Sequence, residues 1–249
     1  MIRTVLVILF IVIFFILSLP LILVEWIISL IRPNFVKRRF IHALVQCALR
    51  IIGFLAGIRK TVIGRDRVPR DEAVLYVGNH QSFFDVVVAY GNVPTLTGFI
   101  SKKEFQKIPI LPLLMKYLNC QFLDRDDIRQ AMEIIKKDIE LVKAGISVFV
   151  YPEGTRNAHP DEFLEFAKGS FKIAQRTNCP IVPVTMVGSR DVLEHHFPKI
   201  RSAKVIMEYG EPFRFSDLTP EQQKTIHTYT SNLIKERYLV HKKSLELPR

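Results

Sequence analysis

Cysteine is scarce in this chain of 249 residues, and Cys47, Cys120 and Cys179 form neither a C-x-x-C pair nor a His-paired zinc pattern. Their wide spacing argues against a disulfide scaffold and predicts three buried or semi-buried thiols in a reducing compartment. Repeats and low-complexity stretches are missing too, so the length suits one sizeable domain plus an appendage. Acidic residues are almost absent from one region. Residues 32–70 hold Arg32, Lys37, Arg38, Arg39, Arg50, Arg59, Lys60, Arg65, Arg67 and Arg70 against Asp66 alone, a net of +9 out of the chain's +11. The residues before this block sum to zero through Arg3 and Glu25, and residues 71–249 carry only +2. Such a block beside an apolar span attracts anionic lipid headgroups at about 1 kcal/mol per cation, or it is a solvated flank that sets topology. Either reading places it at a phospholipid membrane and disfavours nucleic acid as a partner.

Charge is missing altogether from residues 4–24. Those 21 residues, at about 1.5 Å rise each, make a helix about 31 Å long, which matches a hydrocarbon core of about 30 Å. The stretch exceeds the apolar region of a signal peptide and no small-residue cleavage site follows it, so it is expected to remain as an anchor. Pro20 is expected to kink it, and Glu25 with Trp26 suits headgroup depth. A second apolar stretch, 41–58, places Ile41, Leu44, Val45, Leu49, Ile52 and Leu55 near helical spacing, with Arg50, Arg59 and Lys60 for a polar side or end. One crossing helix, or two helices dipping into one leaflet, fits this pattern equally. If the first helix crosses, the heavier Lys/Arg flank that follows it puts the remainder of the chain on the cytoplasmic face.

From residue 60 onward short apolar runs alternate with helical segments. Residues 73–77 (AVLYV), 96–100, 146–151 (ISVFVY), 181–187 (IVPVTMV) and 204–209 read as strands, and 86–90 as the body of a helix. Pro109 and Pro112 break the chain before a short helix. Residues 126–144 place Ile128, Met132, Ile135, Ile139 and Val142 on one helical face that ends near Gly145. This alternation predicts an α/β layered domain over 60–249 with a mixed or mostly parallel sheet, preceded by membrane-anchoring helices within 1–59.

Two segments carry chemistry. Asn79-His80-Gln81-Ser82-Phe83-Phe84-Asp85 falls where a buried strand ends and a helix begins, the place where open α/β sheets bind ligands. His80 suits a general base near neutral pH, and Asp85 would orient its ring if a turn intervenes. Ser82-x-x-Asp85 is equally a capping box that closes a helix amino end. Tyr151-Pro152-Glu153-Gly154-Thr155-Arg156 follows the strongest strand: Pro and Gly make a tight loop, and Arg156 offers a fork suited to phosphate. Each segment alone is a weak signal. Together, about 70 residues apart and each at a strand end, they are far more specific.

These blocks resemble the glycerolipid acyltransferase family that includes the 1-acylglycerol-3-phosphate acyltransferases, over residues 62–210. Asn79-His80 with Asp85 is similar to the family's N-H-x-x-x-x-D block. Lys102-Lys103-Glu104 through Pro109 to Phe122-x-Asp124-Arg125 is similar to its second block. Tyr151 to Arg156 is similar to its third, with Tyr in place of the usual Phe, and Cys179-Pro180-Ile181-Val182-Pro183-Val184 to its fourth. Pro112 stands where the family usually has Gly, and Asn119-Cys120-Gln121 replaces a Gly-containing turn, so the loop between Pro109 and Phe122 is the least determined part.

The resemblance implies an acyltransferase-like layered domain that moves a fatty acyl group from acyl-CoA or acyl carrier protein onto the sn-2 hydroxyl of lysophosphatidic acid, forming phosphatidic acid. His80 and Asp85 would be catalytic, and Lys102, Arg125, Glu153, Gly154, Thr155 and Arg156 would bind the acceptor. No metal or other cofactor is implied. No covalent acyl-enzyme is required, since no G-x-S-x-G elbow is present and neither Ser82 nor a cysteine has an obvious separate base. Lys102 and Lys103 also read as an exposed loop pair, and Arg125 as an ion-pair partner of Asp124, Asp126 or Asp127. His195 and His196 read as a surface pair without a carboxylate context, and Pro183 as structural. The rival functions are acyl transfer to another lysophospholipid, and non-catalytic binding of anionic lipid by the basic block and two helices.

Overall fold

The computed structural model describes residues 1–31, 37–124, 127–159 and 161–246, so Arg32 and Arg125 lie outside the described residues. Two helices open the chain, α1 (Ile2–Ile31), which contains Pro20, and α2 (Lys37–Ala56). Both are long and apolar enough to cross a membrane by length and composition. They run antiparallel: the Arg3 guanidinium near the start of α1 donates to the Leu55 carbonyl near the end of α2 at 3.4 Å. One loop receives both ends, with Ile200 N–H donating to Thr4 Oγ1 at 2.9 Å and the Ser202 hydroxyl to the Gly57 carbonyl at 2.6 Å. Val5, Leu9, Val12 and Ile16 of α1 and Phe54 of α2, which is 80% exposed, are left uncovered by the rest of the chain.

The remainder alternates strand and helix: β1 (Arg59–Ile63), β2 (Leu75–Gly78), α3 (Phe83–Asn92), β3 (Thr97–Lys102), α4 (Leu111–Tyr117), β4 (Gln121–Leu123), α5 (Ile128–Lys143) and β5 (Ser147–Val150). There follow α6 (Lys172–Thr177), β6 (Ile181–Val187), β7 (Lys204–Tyr209), α7 (Pro220–Lys224) and α8 (Ile226–Glu246). The strands form one sheet in the order β1-β7-β6-β2-β5-β3-β4, with every neighbouring pair parallel except β6 and β7. It is therefore mixed and mostly parallel. Side chains alternate across it, as the pleat demands. Val74 and Tyr76 join Phe99, Phe149, Val184 and Met207 under α1 to α4, while Leu75 and Val77 join Val148, Ile173 and Ile181 under α5, α6 and α8.

The five predicted strands are present, with ends shifted by up to two residues. The two strands without a prediction, β1 and β4, are the two edges of the sheet, where half-exposed residues give no continuous apolar run. Helix α8 was likewise not predicted, because its inward stripe of Ile226, Thr230, Ile234, Tyr238 and His241 mixes polar residues into the helical period. In the loop with the weakest determination, Asn119 stands at φ 59°, a left-handed position that glycine favours and asparagine tolerates, and so it takes over the role of the missing Gly.

Part of the basic block serves the fold rather than a lipid. The carboxyl end of α3 leaves carbonyls without helical partners and carries partial negative charge. Arg50 Nε donates to Gly91 O at 2.6 Å, Arg65 Nε to Asn92 O at 2.9 Å, and Lys60 Nζ to Asn92 Oδ1 at 3.1 Å. Burial, followed by the guanidiniums of Arg50 and Arg65, lowers the Lys60 ammonium. Arg67 is drawn to Glu211 at 3.1 Å and to the Tyr209 carbonyl at 3.3 Å. Cys120 and Cys179 are buried, but Cys47 is exposed on α2, whose inward positions are taken by Ile41, Ala48, Ile52 and Ala56.

Candidate active site

The site begins at Asn79, immediately past β2. Its side-chain amide copies a strand ladder: Nδ2–H donates to Met186 O at 2.9 Å and Oδ1 accepts Met186 N–H at 2.8 Å. Gln81 Nε2 donates to the same carbonyl at 2.6 Å. These bonds extend the β2–β6 pairing by side chains and fix the turn that carries His80.

His80 Nδ1 and Asp85 Oδ2 are 2.9 Å apart, with the His80 side chain 15% exposed and that of Asp85 fully buried. A carboxylate accepts here, so Nδ1 carries the proton and the lone pair is left on Nε2. Asp85 Oδ2 also accepts Gln81 N–H at 2.6 Å and Ser82 N–H at 2.7 Å, and Oδ1 accepts the buried Ser189 hydroxyl at 2.5 Å. The capping box and the His–carboxylate pair are therefore one arrangement: Asp85 closes α3 and orients the ring with the same oxygen. Ser82 is not a free hydroxyl, because its oxygen accepts Phe84 N–H at 3.0 Å and donates to Glu194 Oε2 at 2.6 Å.

The loop after β5 holds the other side of the imidazole. The Tyr151 ring stacks on His80 with centroids 4.3 Å apart and planes 22° from parallel. Burial, with Asp85 nearby, raises the Tyr151 phenol well above its ordinary value, which keeps it neutral. Glu153 Oε1 accepts His80 N–H at 2.7 Å, and Asn157 N–H donates to His80 O at 2.7 Å, so both backbone groups of His80 are tied to this loop. Burial, and then the Asp85 charge, push the Glu153 carboxyl up to about 7. Gly154 sits at φ 68° with open space where a Cβ would stand. Thr155 and Arg156 are exposed, and the Arg156 guanidinium lies 3.6 Å above the Phe83 ring, with Nη1 3.5 Å from Glu194 Oε1.

Lys102 ends β3, two strands from β2 at the same carboxyl edge, and is exposed. Its neighbour Lys103 pairs with Asp124. Arg125 lies outside the described residues, so the structure places seven of the eight candidate residues. Among the described residues no three His, Cys, Asp or Glu side chains converge as metal ligands.

Three further residues, all after β6 and past the fourth block, had no signal in the sequence. Ser189 bonds Asp85. Arg190 Nη1 donates to Asn157 O at 2.7 Å and to Gln81 O at 3.3 Å, joining the two loops. Glu194 reaches the amino end of α3. The histidine pair is also corrected: His195 has a carboxylate partner, Asp191 Oδ1 at 2.8 Å, one helical turn away, and its Nε2 faces Arg190 Nε at 3.2 Å. The partners of Ser189, Arg190 and Glu194 are brought to this turn by the sheet, whereas Asp191, four residues before His195, is a local pair that the spacing could have shown.

A layered α/β domain with a histidine–carboxylate pair at its strand ends, beside an arginine-bearing loop, has the make-up of an enzyme active site built for proton transfer. The Acyltransferase family model matches residues 59–187. A protein of Mycoplasma pneumoniae named "Probable 1-acyl-sn-glycerol-3-phosphate acyltransferase" is 31% identical over 194 residues, which cover 76% of this chain and 70% of that one. The chain belongs to the Acyltransferase family. It is similar as well to the chloroplastic 1-acyl-sn-glycerol-3-phosphate acyltransferase BAT2 of Brassica napus, at 33% identity over 63% of this chain and 45% of the relative. The crystal structure of the 1-acyl-sn-glycerophosphate (LPA) acyltransferase PlsC from Thermotoga maritima superposes with a TM-score of 0.69 at 26% identity, covering 99% of this chain and 100% of that one.

Proposed function

We propose that this protein transfers a fatty acyl group from acyl-CoA or acyl carrier protein to the sn-2 hydroxyl of 1-acyl-glycerol-3-phosphate, producing phosphatidic acid for phospholipid biosynthesis. In this reading His80 Nε2 takes the proton of the acceptor hydroxyl as its oxygen attacks the thioester carbonyl. Asp85 stabilises the imidazolium that forms. The tetrahedral intermediate expels the thiolate, a competent leaving group, which receives the proton from His80. No acyl-serine is required, since both roles of the Ser82 hydroxyl are already occupied. A positioned base contributes about 10² to 10⁴ in rate, and holding the hydroxyl at attack distance contributes comparably.

Arg156, with Lys102 and Arg125, holds the acceptor phosphate, and Glu153, Gly154 and Thr155 shape its pocket. The reaction needs no metal or further cofactor. Residues 1–59 form the membrane anchor and 60–249 the catalytic domain on the cytoplasmic face; the antiparallel α1 and α2, with the start of α1 and the end of α2 on one loop of that domain, suit two helices dipping into the near leaflet rather than a crossing. A site beside the anchor meets amphiphilic acceptors without extracting them fully into water.

The observation that carries this reading is the 2.9 Å His80–Asp85 pair at the same sheet edge as the Arg156 loop. The test is a vesicle-reconstituted assay with lysophosphatidate and each donor, resolving products by mass, alongside His80→Ala. Phosphatidate from the wild type, lost by at least about 10²-fold in the variant while vesicle binding is retained, is the expected result. Unaltered turnover in His80→Ala removes the base assignment. Vesicle binding without turnover by the wild type favours a lipid-binding role instead.

A further inference from the structure

Glu194 opens the short 3-10 turn Glu194–His196, past β6 and outside the four sequence blocks. Its carboxylate accepts the Ser82 hydroxyl at 2.6 Å and Phe83 N–H at 2.8 Å, which fixes it on the amino end of α3. The side chain is only 13% exposed. It therefore fills the end of the helix that would otherwise attract an anion. On its outer side the same carboxylate meets Arg156, whose one ion pair among the described residues is long at 3.5 Å, whose side chain is 39% exposed and whose guanidinium rests on the Phe83 ring. The carboxylate is thus the fixed partner and the guanidinium the one whose direction is set. A guanidinium has five N–H donors in a rigid fork, and one carboxylate contact at one nitrogen leaves the others open to a ligand.

We propose that Glu194 is a positioning residue for the acceptor phosphate. Anchored on the helix that carries Asp85, it holds the Arg156 fork in the direction in which it takes up the acceptor phosphate. Phe83 is the platform that keeps the fork from swinging into solvent. The helix end itself is closed to the phosphate, so the anion is addressed by Arg156 rather than by the α3 backbone. This inference rests on the proposed acceptor, and its test separates the two.

The full-length protein in phosphatidylcholine vesicles is assayed for thiol release with varied lysophosphatidate, as wild type, Glu194→Gln, Arg156→Ala and the double variant. Glu194→Gln keeps an acceptor for Phe83 N–H but removes the charge that holds Arg156. The expected result is an acceptor KM raised about fivefold with kcat within about twofold, as for loss of a partly exposed pair acting on binding. In the Arg156→Ala background the same substitution changes KM no further, because its effect runs through Arg156. Effects that multiply in the double variant, or a fall in kcat with KM unchanged, overturn the proposal. Glu194→Ala with a melting-temperature scan shows whether loss of the α3 cap alone explains the result, which would also overturn it. A wild type that does not turn over lysophosphatidate at all sinks the acceptor assignment instead.

Discussion

Replacing Asp85 with Asn isolates one charge. Asp85 is fully buried and accepts four donors, from His80, Gln81, Ser82 and Ser189. In the variant the amide oxygen, placed where Oδ2 stood, still accepts from the first three. The amide NH₂ then faces Ser189, whose hydroxyl can turn to accept. Shape and most hydrogen bonds survive, and only the negative charge beside the imidazole is removed. Charges about 4 Å apart interact by about 4 kcal/mol at an effective dielectric of about 20, and each 1.36 kcal/mol is about tenfold in rate. Allowing for partial compensation by the retained dipoles, the chemical step should slow by about 10² to 10³. The assay is single-turnover thiol release at saturating lysophosphatidate, so that product release does not mask chemistry, with the melting temperature measured in parallel. A variant that melts like the wild type and transfers the acyl group at the wild-type rate would refute the reasoning. The imidazolium would then not be what Asp85 stabilises.

Two further perturbations test the scaffold. Burial pushes the Asp138 carboxyl on α5 from 3.8 up to about 7. The folded state thus favours its neutral form. The associated stability is complete below the unfolded value and is lost as pH climbs from about 4 to about 7. Asp138→Asn, neutral at every pH, should raise stability at pH 8 by on the order of 2 kcal/mol and leave it little changed near pH 4, read from melting temperatures across that range. Equal melting temperatures at pH 8 would contradict the assignment. Gly188, at φ 82°, has no room for a side chain, since a Cβ would stand 2.3 Å from the Lys204 carbonyl oxygen. Gly188→Ala should cost more than about 2 kcal/mol and, by displacing the adjacent Ser189 from Asp85, lower turnover per folded molecule. A melting temperature and activity both unchanged would show that the turn after β6 is more adaptable than its geometry implies.

Much was legible in contiguous residues. The run of apolar residues 4–24 announced α1, and the buried strands β2, β5, β6 and β7 stood out because strands covered on both faces read as apolar runs. His80 and Asp85 were visible as five positions on one turn, since a capping box and a His–carboxylate pair both depend on bonds within a few residues. Local spacing could not choose between those two readings, and the structure shows that one oxygen serves both. The edge strands β1 and β4 stayed hidden because exposure removes the apolar signal. The basic block showed its charge but not its use, because the carbonyls that Arg50 and Arg65 satisfy belong to a helix some 30 to 40 residues later. Ser189, Arg190 and Glu194 meet the His80 turn from more than 100 residues away. What sequence determined by itself was every feature carried by nearest-neighbour periodicity and turn chemistry. What the tertiary structure alone decided was which distant donors and carboxylates converge at the carboxyl edge of the sheet, because that depends on strand order, which no local pattern encodes.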